Sequence, residues 1–203
     1  DRTDLIRACV NTISGALGQG AILVIAVLFL VLWDLRAALT VAVSLPVTVA
    51  VAFLLMGWQG VTANLMSLGG LAVALGMVVD GPIVVTENIA RHMREKGRSN
   101  LSRAEIAFQA IREVTRPVLF AALIVIVVFL PLFALESMEG KMFKPLALTM
   151  CFAMIGTVVA SMTVVPVLAT VFVRRATVAH PKENPLIRAV WAVHDPFLHL
   201  AMR

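Results

Sequence analysis

Five apolar blocks, parted by short polar stretches, set the pattern of this chain: 16–33, 37–58, 65–90, 117–135 and 146–173. Each is long enough, at about 1.5 Å per residue, for a helix to cross a hydrocarbon core roughly 30 Å thick. Pro46 falls at the middle of the second block and Pro166 near the far end of the fifth. Proline is tolerated in membrane helices, where it predicts a bend. The separators differ in character. Residues 34–36 and 59–63 are tight turns, whereas 91–116 is strongly charged, with a 102–105 stretch of Ser, Arg, Ala and Glu in the form of a capping box that opens a short helix. Residues 136–145, ESMEGKMFKP, read as a compact charged loop.

Residues 1–15 form a polar lead-in, and 16–175 the membrane domain. Residues 176–203 form a cytoplasmic segment in which apolar positions share one face with Arg188, His194 and His199 interspersed. That pattern predicts an amphipathic helix lying on the membrane surface. The fold class expected is therefore all-α and integral to the membrane, with five spanning helices and a C-terminal surface helix. The opening DRTDLIRACVN has no initiator Met and no compact apolar core behind a basic start, so it is not a signal peptide. It reads as the interior of a longer polypeptide, as does the end at HLAMR.

Composition agrees with the pattern. The chain has 203 residues, 60% hydrophobic and 14% charged, with a mean hydropathy of +0.95; soluble domains run to about 25% charged. The net charge of +5 does not indicate nucleic acid, because the basic residues fall between apolar blocks and mark topology instead. Seven lie at 91–116 and two more, Arg174 and Arg175, stop the fifth block. Basic loops face the cytoplasm, which puts the N-terminus outside and the C-terminus inside. Cys9 and Cys151 are far apart and define neither a disulfide framework nor a metal site. No nucleophile–base set, phosphate loop or zinc motif is present, so no enzyme and no cofactor is expected.

The third block carries the chemistry. Asp80 lies eleven residues before Arg91, roughly 16 Å along a helix and thus near mid-membrane. A carboxylate there costs about 2.5–3.5 kcal/mol even on insertion scales, so such acids are rare and functional. Glu87, seven residues on, shares nearly the same helical face. The two form candidate stations for a proton, and each proton crossing 100 mV releases about 2.3 kcal/mol. The plain alternatives are a structural ion pair for Asp80 with a base from elsewhere, and a surface pair for Glu87 with Arg91 at i, i+4. Gly69, Gly70, Gly76 and Gly81 permit close approach of another helix. Gly81-Pro82 predicts a local distortion that frees backbone carbonyls beside Asp80. The many methionines, Met66 and Met154 among them, are either adaptable apolar filler or thioether ligands for a soft ion.

These residues resemble a family. The run NLMSLGGLAVALGMVVDGPIVVTENIARHM is similar to the fourth transmembrane helix of resistance–nodulation–division (RND) efflux pumps. The runs AIREVTRPVLFAALIVIVVFLPLF, EGKMFKPLALT and PVLATVFVRR resemble the same proteins, and the loop LESMEGKMFKP resembles their heavy-metal branch. The resemblance covers essentially the whole chain. It implies the second to sixth spans of a partial transmembrane half, in a bacterial inner-membrane pump that exports metal cations by proton antiport. The complete pump would be a homotrimer working with a periplasmic adaptor and an outer-membrane channel. Asp80 matches the central relay aspartate and Glu87 the glutamate of the family's VEN-type sequence. Multidrug members have two adjacent aspartates, where this chain has Gly81 after Asp80. Divalent-cation exporters commonly have an acid where this chain has Ala74. Met66 and Met154 match two rungs of the methionine ladder of copper/silver exporters, while Val78, Val85 and Ala169 occupy others. The resemblance implies a cation exporter and leaves its ion open; a multidrug pump, or a fragment that does not transport, are the alternatives.

Overall fold

The computed structural model describes residues 35–96 and 101–172, with a few helical positions between 15 and 27. The expected first span and the surface segment at 176–203 thus lie mostly or wholly outside the described residues. Within them the chain is helical, in the order α1 (Leu35–Trp58), α2 (Leu65–Val78), α3 (Asp80–Lys96), α4 (Arg103–Phe129), a 3-10 turn (Leu130–Ala134) and α5 (Ser137–Phe172). Taken together α2 and α3 make one membrane-length unit, so four helical units here are long and apolar enough to cross a bilayer. The chain is a multi-pass membrane protein.

The caps explain where the helices start. Asn64 Oδ1 accepts the Met66 and Ser67 N–H groups at 3.0 and 2.9 Å, and the Asn64 N–H donates to Ser67 Oγ at 2.8 Å. A serine thus closes this capping box where a glutamate is the usual signal. At α4, Ser102 and Glu105 close the box anticipated from the sequence, at 3.2 and 2.7 Å. The Ser102 backbone and hydroxyl hold the Glu105 carboxyl below its ordinary value. Gly60 reverses the chain between α1 and α2 with φ at +69°, a conformation that suits glycine.

Two expectations need correction. The helix opened by Ser102 is not short: it runs 27 residues, straight through Pro117. Pro117 removes only the hydrogen bond to the Glu113 carbonyl, in the charged first half of the helix where Glu113 is exposed. The 136–145 stretch is not a loop, because α5 already begins at Ser137 and continues through Pro145. At 36 residues, α5 is roughly 54 Å long, so its charged first turns extend beyond the hydrocarbon. The local distortion expected at Gly81-Pro82 is present: α2 and α3 are hydrogen-bonded separately, with Val79 between them. Val79 keeps helical angles, φ −71° and ψ −29°. The interruption is one of hydrogen bonding: Pro82 has no N–H to give the Val78 carbonyl, and the ladder resumes with Ile83 N–H to Val79 O at 3.1 Å.

α5 is the centre of the bundle and touches every other helix. Half of its apolar window is buried, against 6% for α4. Two apolar cores flank α5. One gathers Val41, Leu45, Leu71, Val78 and Met150, and the other Val85, Ile89, Ile106, Ala110 and Val165. Small residues let α5 come close. A Cβ on Gly156 would lie 2.7 Å from the Thr48 carbonyl of α1, and one on Gly70 would strike Thr149 Oγ1 and the Leu146 carbonyl. α4 instead turns Phe120, Ile124 and Val128 outward, as a helix facing lipid or another subunit does.

Candidate functional site

Asp80 opens α3 immediately after the ladder interruption. It lines a cavity of about 380 Å³ between α2, α3, α4 and α5. The rest of that lining is apolar apart from Thr157, and it includes Met77, Val84, Val118 and Met154. Asp80 is exposed in this chain and enters no ion pair among the described residues. A carboxylate facing an apolar, open cavity in a membrane helix is an uncompensated polar group.

Behind it, Gly81 makes the seam with α5. A Cβ there would stand 3.0 Å from both Ser161 Oγ and Thr157 Cγ2. Gly70 meets α5 likewise, so two of the four glycines in this stretch face a helix of the same chain. Gly69 and Gly76 have nothing within 4 Å. Met154 shares the cavity with Asp80, joined there by Met77, which the sequence did not single out. Met66 lies at the start of α2, fourteen residues before Asp80, and is not part of the cavity lining.

Glu87 sits elsewhere. Its carboxylate is exposed and pairs with Arg94 at 3.0 Å, two turns on, rather than with Arg91 one turn on. Arg91 is drawn away by a polar clasp between α3 and α4. It donates to both Glu113 oxygens at 3.0 and 3.1 Å and to Asn88 Oδ1 at 2.8 Å. The buried Asn88 amide donates to the Ala110 carbonyl at 2.8 Å and to Glu113 at 3.3 Å. His92 adds Nδ1 against the Asn88 carbonyl at 3.2 Å and Nε2 3.4 Å from Glu113. The Asn88 hydrogen bond, then Arg91, hold the Glu113 carboxyl below its ordinary value. Sequence reasoning missed Asn88, His92 and Ser161. For Ser161 the available signal was a hydroxyl among Val158, Val164 and Val165 one turn away, whereas Asn88 and His92 stand among polar neighbours and gave none.

The described residues thus form a bundle of membrane-length apolar helices with one unpaired acid in a largely apolar cavity. The comparisons specify the class. The AcrB/AcrD/AcrF family model matches residues 1–200, and the chain belongs to that family, in the heavy-metal branch of the RND transporters. It is 37% identical over 206 residues to the cation efflux system protein CusA of Escherichia coli (strain K12), covering 98% of this chain and 20% of CusA. It is 38% identical over 210 residues to the cobalt-zinc-cadmium resistance protein CzcA of Cupriavidus metallidurans, covering all of this chain and 19% of CzcA. The crystal structure of a heavy metal efflux pump superposes with a TM-score of 0.70 at 38% identity, over 82% of this chain and 16% of that one. The chain thus spans about one-fifth of the length of these relatives.

Proposed function

We propose that this chain is part of a proton-antiport heavy-metal efflux pump of the bacterial inner membrane, with Asp80 as the residue that takes up and releases the proton. The observation that carries this reading is the Asp80 carboxylate in a largely apolar cavity, without an ion-pair partner among the described residues. Such a group is stable in a membrane when neutral and protonated, or when matched by a cation from another element. Switching between those two conditions is what couples a proton to a conformational cycle. The pump's substrate is a metal cation, in keeping with relatives named for cation efflux and for cobalt, zinc and cadmium resistance. Met77 and Met154 beside Asp80 are soft donors compatible with a monovalent ion such as Cu(I). Met66 would bind an ion only at a separate station near the start of α2.

Glu87 serves as the second proton station, reached when Arg94 releases it. The N-terminus is periplasmic and the C-terminus cytoplasmic, following the basic residues at 91–116. The complete pump is a homotrimer that engages a periplasmic adaptor and an outer-membrane channel, and this chain alone does not transport. The test is Asp80→Asn in the complete pump, reading metal tolerance in cells and proton flux in proteoliposomes. Loss of both is expected; retained proton-coupled export would remove Asp80 from the mechanism.

A further inference from the structure

Among the described residues two buried side-chain hydroxyls have no hydrogen-bond partner, Ser161 and Thr86, and both residues are fully buried. They depart from a rule the other helix hydroxyls keep. Ser44, Thr48, Thr115, Thr149, Thr157 and Thr163 each donate to a carbonyl three or four residues back. That is the default for serine and threonine in an apolar helix, because it satisfies the hydroxyl locally. A buried hydroxyl left unmade carries a desolvation penalty, and polar groups left over inside proteins are commonly satisfied by bound water.

The places of these two residues are informative. Ser161 Oγ lies 3.0 Å from where a Gly81 Cβ would stand, directly behind a residue that lines the Asp80 cavity. The Val78 carbonyl, deprived of its helical donor by Pro82, is two residues before Asp80. Thr86 is six residues beyond Asp80, roughly 9 Å along α3, towards the end where Asn88, Arg91, His92 and Glu113 meet. Glu87 lies at the same level but faces outward and is held by Arg94. An inward, unoccupied hydroxyl therefore accompanies the outward, occupied acid.

Resting on the proton-antiport reading of Asp80, we infer that Ser161 and Thr86 are positioning residues that hold water in a proton path through the interior of the bundle. The path joins the Asp80 cavity to the charged end of α3. The Asp80 carboxyl gives its proton to a cavity water. Ser161 Oγ accepts a proton on a lone pair as it passes its own to the next water, and Thr86 repeats the exchange. One proton leaves Asp80, one arrives at the charged end, and both hydroxyls are regenerated. Glycine at 81 keeps this approach open, since a Cβ there would stand 3.0 Å from Ser161 Oγ.

The test uses the complete pump in proteoliposomes, with Cu(I) and Zn(II) offered separately as cargo and an internal pH dye as readout. Ser161→Ala and Thr86→Val should each reduce metal-linked proton flux at least tenfold. They should also shift its pH profile and change its solvent deuterium isotope effect, which a packing defect would not do. Thr86→Ser, which restores a hydroxyl, should recover the wild-type profile even if Thr86→Val does not fold. Unchanged flux and pH profile in Ser161→Ala and Thr86→Val, with Asp80→Asn inactive, would overturn the water path and leave Asp80 in place. Full activity of Asp80→Asn would instead remove the antiport reading itself.

Discussion

The two ends of α3 treat their polar groups in opposite ways. At its start Asp80 faces a largely apolar cavity with no ion-pair partner among the described residues. Two turns later Asn88, Arg91 and His92 are knotted to Glu113 and the Ala110 carbonyl by contacts of 2.8–3.4 Å. The second arrangement is what a membrane protein does when a polar group has only to be accommodated. The first leaves a polar group unmatched, and in an apolar setting that is tolerated where the group must change state. One helix thus carries a paired polar clasp at one end and an unpaired acid at the other.

The contrast is sharpest if the acid is erased. Asp80→Leu should favour membrane insertion of the 65–96 segment by roughly 3–4 kcal/mol, read in a glycosylation-based insertion assay, while export by the complete pump is lost. An insertion gain below about 1 kcal/mol would mean that Asp80 is already compensated. The clasp should respond in the opposite sense. Asn88→Ala strips a buried amide from a shared network and should destabilise the bundle by about 1–3 kcal/mol, visible as a lower melting temperature in detergent. The seam between α2 and α5 is expected to tolerate as little. Gly70→Ala puts a methyl onto Thr149 and the Leu146 carbonyl and should cost about 1–3 kcal/mol by overpacking, whereas Gly76→Ala, which meets nothing, should leave the melting temperature unchanged. Equal effects at the two glycines would show that α2 does not pack on α5 in this way.

The smallest effect belongs to the exposed part of the clasp. Glu113→Gln should leave the melting temperature at pH 7 almost unchanged, since Arg91 and Glu113 are both about half exposed and water screens them. Its pH dependence has a definite sign. The Glu113 carboxyl is held below its ordinary value of 4.5 by Asn88 and then Arg91, so its contribution is complete above pH 4.5. It is lost as the pH falls through the lower, folded-state value. A detergent melting series from pH 6 downward should show that decline in the wild type and a flatter one in Glu113→Gln.

Much of the protein was legible without coordinates. The apolar blocks follow from hydrophobicity alone, because a helix is the only open-ended way to satisfy a backbone in lipid. Ser102 and Glu105 announced their cap by spacing, and Asp80 announced itself by being charged where charge is expensive. Proline was misleading. Pro117 and Pro145 read as helix boundaries yet lie inside α4 and α5, since losing one hydrogen bond is tolerable when the rest of the turn is packed.

What the sequence by itself determined, then, is the membrane class, the approximate spans, the acid and, through its motifs, the family. Only the tertiary structure decided the partners. It paired Glu87 with Arg94 rather than Arg91, because Glu113 on a helix twenty-two residues away takes Arg91 first. It set Gly70 and Gly81 against α5 and left Gly69 and Gly76 open, although all four look alike along the chain. It also left Ser161 and Thr86 unsatisfied while their neighbours bond backwards. Periodicity records which face of a helix is apolar; it does not record which helix arrives there. That is fixed by the packing of α5 against four partners at once, and the character of Asp80's surroundings follows from it.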